Sequence, residues 1–439
     1  MRIQSICEEC GRPVQASYTR EGNEMFLEKI CPDHGTSREL AAEDADAFER
    51  WIAFPSVAVP PRVALTKGSE NSECPLHCGP CENHLMTACC VLLNVTDRCN
   101  QHCPWCFAEA EHRGDGSFCV KDPSLLEIER WLDRLTELGE ERKFNIQLSG
   151  GEPTVREDLP EIIAMCKSKD FEYVQLNTNG RKLAEDPAYA IRLKEAGLST
   201  VFMQFDGVSD DVYTALRGEP LLETKKAAIK NCGAAGLPVT LVPTVLKNVN
   251  LSQTGAIIEF MLENISVVKG VHFQPASFFG RRPDGEERVT MFSVMDEIEK
   301  QTNGLIKKES LAPISTGHPL CCFCAAYMKE ADGELRPLSR GGSCCPEEPL
   351  EIIRRDRDFV LNKWDVRAPE ERSCCAAEGP LSFDDALAMF KDNMFTISGM
   401  AFMDDTNLDS ERLKRCRVQV LSKDERLVPF CAYYSKIRR

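Results

Sequence analysis

Cys99, Cys103 and Cys106 stand at C-x3-C-x2-C spacing directly after a short apolar run, Val91 to Val95. Thiolates this close together can hold three corners of a cubane iron–sulfur cluster, which usually takes four cysteines. A fourth iron without a protein ligand is then a Lewis-acidic open site, like the open position of a catalytic metal. The competing reading is a structural zinc knuckle, but knuckles pair C-x2-C with a second, distant pair. A second motif, Ser149-Gly150-Gly151-Glu152-Pro153, ends the next apolar run. Adjacent glycines let bare backbone carbonyls approach a ligand such as an amine. Alone, the same residues also suit an ordinary strand-to-helix turn with an acidic first residue.

The chain spends cysteine heavily, with 23 in 439 residues and nothing at Met1-Arg2-Ile3 resembling a signal peptide. That usage points to metal and redox chemistry rather than disulfides. Cys7-Glu8-Glu9-Cys10-Gly11 and Cys31-Pro32-Asp33-His34-Gly35 are two knuckles around two alternating strands, Val14 to Tyr18 and Glu24 to Ile30. Together they predict a small ribbon with one tetrahedral metal. Zinc suits the histidine; a rubredoxin-like iron is the redox alternative. Cys74, Cys78 and Cys81 repeat the triplet spacing, with Cys89-Cys90 following. They read as an auxiliary iron–sulfur cluster with Cys89 or Cys90 as fourth ligand, or as zinc with His77 and His84 nearby. Cys166 and Cys232 lie in helix-like sequence and read as small buried hydrophobes.

The elements that must position these residues alternate. Strands are expected at Val91–Val95, Phe144–Leu148, Tyr173–Leu176, Val201–Phe205, Val239–Pro243 and Val271–Gln274. The clearest helix starts at Pro123-Ser124 and repeats Leu125, Ile128, Leu132 and Leu135 at helical spacing. Further helices are expected at 157–169, 187–197, 212–216, 222–236 and 251–267. Six βα units of about 30 residues predict an α/β fold with a parallel sheet, open or partly closed into a barrel. Ligands bind at the carboxyl ends of such strands, where the triplet lies. Four units follow: a metal ribbon at 1–66, an auxiliary-cluster segment at 67–90, the βα core at 91–282, and a cysteine-rich C-terminal domain at 283–439. In the last, helices are expected at 291–308 and 381–391, and metal is expected to support a core small for its length.

A net charge of −16 makes a nucleic-acid phosphate track a poor expectation. No window approaches the roughly 18 apolar residues of a membrane helix, so the chain reads as cytoplasmic. Access to a membrane surface would rest on a local basic patch such as Lys436 to Arg439.

The triplet and the Gly-Gly-Glu-Pro turn, one βα unit apart, resemble the radical S-adenosylmethionine (SAM) superfamily over residues 91–282. The resemblance implies a partial (β/α)6 barrel and a set of roles. Cys99, Cys103 and Cys106 bind a [4Fe-4S] cluster whose unique iron chelates SAM. Gly150, Gly151 and Glu152 receive the methionine ammonium. Trp105 and Phe107 flank the cluster near the adenine. Asn177, Asn179, Gln204 and Asp206 sit where the superfamily contacts ribose, methionine or substrate; ordinary turn chemistry is the other reading of these four. The flanks resemble one branch, that of the archaeal tetraether lipid synthases and the pterin-precursor methyltransferases. The matching pieces include Gln274-Pro275-Ala276-Ser277-Phe278-Phe279-Gly280-Arg281, His318-Pro319-Leu320-Cys321, Leu413-Lys414-Arg415-Cys416 and Leu427-Val428-Pro429-Phe430-Cys431. That branch implies two auxiliary [4Fe-4S] clusters and a rubredoxin-like iron, which turns the expectation for the ribbon from zinc to iron. Cys7, Cys10 and Cys31 are its firm ligands, with His34 or another cysteine as the fourth. Cys321, Cys416 and Cys431 match a C-terminal cluster, with Cys344 or Cys345 to complete it. Two departures stand out: Asp97 takes a place where the branch often has Asn, and the chain is shorter after residue 340.

The implied activity is reductive cleavage of SAM to a 5′-deoxyadenosyl radical that abstracts hydrogen from unactivated carbon. The expected use is carbon–carbon coupling of lipid alkyl chains. The alternatives are methyl transfer to a pterin precursor and peptide maturation; a non-catalytic relay would need no SAM site. The expected partners are a small-molecule or lipid substrate and an electron donor such as ferredoxin or flavodoxin.

Overall fold

The computed structural model describes residues 2–61, 75, 78–110, 121–139, 144–330, 332–338, 351–352 and 392–435. Cys74, His77, Cys344, Cys345, the helix expected at 381–391 and the basic end at 436–439 lie outside these residues.

The N-terminal ribbon is a four-stranded antiparallel sheet in chain order: β1 (Arg2–Ile6), β2 (Pro13–Glu21), β3 (Glu24–Cys31) and β4 (Gly35–Ala42). The two expected strands are β2 and β3. β1 and β4 escape a period-two reading, since β4 is exposed or half-buried at seven of its eight positions. Asp44 caps the following helix α1 (Ala45–Ile52), accepting from Ala47 N.

Six parallel strands form the centre of the second sheet. They are β5 (Cys90–Thr96), β6 (Asn145–Gly150), β7 (Val174–Thr178), β8 (Thr200–Gln204), β9 (Val239–Val242) and β11 (Val268–Pro275), side by side in chain order. The short β10 (Thr244–Val245) pairs with β11. Helices fill the crossovers. The first, α2 (Leu125–Leu138), opens on a capping box in which Ser124 and Glu127 satisfy each other's backbone N–H groups. Side chains alternate along each strand. Val91, Leu93, Ile146, Leu148, Val174, Leu176, Val201, Met203, Val271 and Phe273 point to the helices and form one core. The alternate positions line an interior cavity of about 430 Å³.

The sheet continues past residue 282. β14 (Met394–Met400) adds parallel to β11, followed by antiparallel β12 (Cys322–Lys329) and β13 (Leu335–Pro337). On the opposite edge β15 (Val418–Leu421) adds parallel to β5, and β16 (Leu427–Pro429) closes that edge. The segment expected to stand as a C-terminal domain therefore supplies both flanks of the barrel sheet. Its long expected helix is shorter: α3 runs over Met291–Gln301 and stops where Asn303 and Gly304 turn left-handed, with φ of 51° and 76°.

Candidate active site

The cavity opens between the carboxyl ends of the strands, and the three cysteines of the triplet line it together with Gly150, Gly151 and Glu152. Two loops make this possible by packing backbone to backbone. Gly151 N donates to Thr96 O at 2.8 Å, and Glu152 N donates to Arg98 O at 2.8 Å. A Cβ on Gly150 would fall 2.1 Å from Thr96 O, and one on Gly151 2.1 Å from Arg98 O. Both positions therefore exclude any side chain. Gly150 also has φ +120°, a region that favours glycine. Arg281 braces the other side of the triplet: its Nε donates to Cys103 O at 2.8 Å, and its backbone exchanges hydrogen bonds with Cys106.

Burial pushes the Cys99 thiol up to about 12, and the Glu152 carboxylate and the two neighbouring thiols add to that. Cys103 is likewise raised by burial, against the pull of the Arg217 guanidinium. Such thiols hold their protons until a metal displaces them. A rim of three mutually interacting thiols at a cavity mouth fits a cubane with one unliganded iron.

The Glu152 carboxylate is fully engaged by its own chain. Oε1 accepts from Thr154 N at 3.0 Å, Thr154 Oγ1 at 2.6 Å and Thr178 Oγ1 at 2.8 Å, and Oε2 accepts from Asn179 N at 2.6 Å. Its side chain ties the ends of β6 and β7 together. The backbone of the two glycines beside it is what faces the cavity. Asn177 lines the cavity and accepts from Gln147 Nε2 at 2.7 Å. Asn179 donates to Asn100 Oδ1 at 2.8 Å, fixing the triplet loop to β7.

Asp206, expected at the cofactor, turns away from the cavity. It is fully buried and grips Arg217 with two bonds of 2.8 Å. This happens because Arg217 lies between it and the cavity, reaching Trp105 O at 3.1 Å and opposing the burial that raises the Cys103 thiol. Gln204 does line the cavity, and its Oε1 accepts from the buried Lys225 at 3.0 Å. Lys225 also donates to Asn179 O at 2.5 Å and is lowered to about 8 by burial. Trp105 is buried among Val212, Leu216, Leu246 and Ala276. Phe107 meets Phe430 and Tyr434 at ring-centre distances of 5.7 and 5.1 Å.

The sequence reading passed over the inner wall. Gln147, Gln175, Phe202, Thr240, His272, Thr396 and Ser398 project into the cavity from six strands. His272 Nδ1 and Ser398 Oγ are hydrogen-bonded at 2.9 Å, and Phe202 packs 5.4 Å from the imidazole. Cys90 also faces inward, its Sγ donating to Gln147 Oε1 at 3.3 Å. The signal was an alternation: parallel strands buried on both faces read as continuous apolar runs, whereas Gln175-Leu176-Asn177 and His272-Phe273-Gln274 alternate.

The outlying cysteines fall into two further groups. Ligand atoms of Cys7, Cys10, Cys31 and His34 all lie within 4.8 Å of one another, the spacing for one shared ion, with His34 at the fourth position. Cys321, Cys416 and Cys431 lie close together: besides burial, the Cys416 thiol is raised by Cys431 and Cys321, and the Cys431 thiol by Cys321. Cys78 Sγ sits 3.7 Å from His84 Nε2, and Cys89 N donates to Arg417 O at 2.9 Å.

Residues 93–261 match the family model of the radical SAM superfamily, and residues 1–43 match that of the HMPTM N-terminal zinc ribbon domain. The chain is also 33% identical to a 7,8-dihydro-6-hydroxymethylpterin dimethyltransferase of Methanocaldococcus jannaschii, over 98% of this chain and 92% of that one. The chain belongs to the radical SAM superfamily. A probable GTP 3′,8-cyclase of Methanothermobacter marburgensis is 28% identical over 58% of this radical SAM protein and 86% of the relative. Among solved structures, Streptococcus suis SuiB bound to SAM aligns at TM-score 0.42 and 15% identity, over 50% of this chain and 48% of that one. Methylornithine synthase aligns at TM-score 0.40 and 13% identity, over 63% and 82%. Radical SAM membership brings with it a [4Fe-4S] cluster and SAM. No helix among the described residues is long and apolar enough to cross a membrane.

Proposed function

We propose that this radical SAM enzyme transfers methyl groups to carbon on a small, polar, ring-bearing substrate of the pterin class. The supporting observation is the inner wall of amides and hydroxyls, with His272 among them, beneath the triplet. A flat heterocycle with alternating donors and acceptors can pair with such groups. An alkyl chain could pair with none of the donors and acceptors that the wall does not already satisfy within itself, at about 1–3 kcal/mol for each group left buried without a partner. The lipid-coupling expectation gives way for that reason, and the full-length likeness to a pterin dimethyltransferase points the same way.

In this reading Cys99, Cys103 and Cys106 hold the cluster, and the carbonyls of Gly150 and Gly151 meet the methionine ammonium. Asn177, Asn179 and Gln204 position the bound molecules, Trp105 and Phe107 close the cluster off from water, and Glu152 shapes the loop. The loaded cluster supplies the electron that cleaves SAM to the 5′-deoxyadenosyl radical. A small reductant of the ferredoxin or flavodoxin class delivers that electron. Three sulfurs and one imidazole nitrogen in the ribbon suit zinc better than iron. Auxiliary clusters sit on Cys321, Cys416 and Cys431, and on Cys78 and Cys81 with Cys74 and Cys89.

The test is anaerobic incubation with reductant, SAM carrying a deuterated methyl group, and either a reduced hydroxymethylpterin or a diether lipid. Deuterium appearing on the pterin, with 5′-deoxyadenosine released, is the expected result. A coupled lipid with the pterin untouched would overturn the reading.

A further inference from the structure

Arg412 lies in α4 (Ser410–Lys414), 7% exposed, beside the C-terminal thiol group. Its Nε is 3.5 Å from Cys321 Sγ, and its Nη2 donates to Ala401 O at 2.5 Å. A guanidinium keeps its charge throughout the pH range of a folded protein, and a buried charge needs a counter-charge. The other buried arginines of the core have carboxylates. Arg217 grips Asp206, and Arg288 lies between Asp404 at 2.8 Å and Glu39 at 2.9 Å. Among the described residues no carboxylate forms an ion pair with Arg412. Asp409, three positions back, caps the helix instead, accepting from Glu411 N at 2.8 Å and from Tyr18 OH at 2.9 Å. Besides the Ala401 carbonyl, what the guanidinium touches is sulfur, while the Asp409 carboxylate, held by its own bonds, lies within range of its charge.

We infer that Arg412 is a positioning residue: its buried charge is balanced by an anionic iron–thiolate group on Cys321, Cys416 and Cys431, and it sets that group's reduction potential. Adding one electron to such a group makes it more negative without making or breaking a bond. A fixed cation in contact with its sulfur stabilises the reduced form more than the oxidised one, which raises the potential. The placement gives this a use. Phe430 precedes Cys431 and its ring packs on Phe107, which follows Cys106, so the tuned group stands one aromatic contact from the triplet.

The inference goes beyond the methyl-transfer reading and is tested without any substrate, so that the failure of one leaves the other standing. Full-length protein, loaded anaerobically with iron and sulfide, is titrated electrochemically and followed by electron paramagnetic resonance. The variants are Arg412→Gln and Arg412→Lys, each checked by circular dichroism against the parent. In Arg412→Gln one cluster signal should move to lower potential. The expected change is about tenfold in its reduced-to-oxidised ratio at a fixed potential, about 59 mV for a one-electron couple. The signal that responds to SAM should stay where it is. Arg412→Lys, which keeps the charge, should hold the potential near the parent's. Loss of about four irons from the Gln variant alone would also support the charge requirement. An unshifted potential in the Gln variant, or a Lys variant as impaired as the Gln variant, would overturn the inference.

Discussion

At the scale of single residues, the site depends on two glycines for packing as much as for ligand access. Gly151→Ala would drive a methyl group into Arg98 O, parting the triplet loop from the end of β6. Affinity for SAM, measured by equilibrium dialysis, should fall at least about tenfold while the far-ultraviolet spectrum stays that of the parent. The buried His318 supplies a pH prediction. Its pKa is lowered to about 3, first by burial and then by Arg412 and Arg415, whereas an unfolded histidine titrates near 6.5. The folded value lies below the unfolded one, so the unfolded chain takes up the proton first as pH falls. Stability is whole above pH ~6.5 and is lost between about 6.5 and 3. The loss amounts to about 2 kcal/mol by pH 5, and His318→Gln should flatten that part of a denaturant-unfolding profile. Residue types at strand ends told only part of this story. Asp206 and Gln204 looked alike in sequence, but one pairs with Arg217 and the other faces the cavity, a difference set by a guanidinium eleven positions further on.

At the scale of elements, the six βα units were legible because each strand carries an apolar outward face and each crossover helix a 3.6-residue repeat. The flanking strands were not. β14 and β15 lie outside the βα rhythm and find their partners only across the sheet, in β11 and β5. Local periodicity carries no information about such pairing. β15 nonetheless does structural duty for the site, because it covers the open edge of the strand that leads into the triplet. Val420 on it is fully buried with Leu92 and Val428. Val420→Asp would place an unpaired carboxylate there and should destabilise the fold by about 3 kcal/mol or more. Loss of soluble, monodisperse protein in size-exclusion chromatography would register it, since an uncovered strand edge recruits other chains.

At the scale of the whole molecule, the candidate metal ligands are distributed over the fold. The ribbon docks on the C-terminal segment through Tyr18 to Asp409, Gln4 N to Ser410 Oγ at 3.3 Å, and Trp51 Nε1 to Pro319 O at 2.7 Å. Anaerobically loaded protein should therefore hold about twelve irons in three cubanes together with one zinc, by metal analysis; about four irons would sink the multi-cluster reading. The cysteine clusters announced this plan, yet spacing alone left the ribbon's fourth ligand open, and only the fold brings His34 to the other three. The pairing of β5 with β15 has a consequence for biosynthesis. Residue 90 leaves the ribosome long before residue 418, its partner in the sheet. The barrel thus has high contact order, since its first strand waits for residue 418 to cover its edge. Cysteines of the C-terminal group come from positions 321, 416 and 431. That group cannot be complete until residue 431 has been made, so termination before it would leave the cysteine set unfinished and the barrel edge beside β5 uncovered.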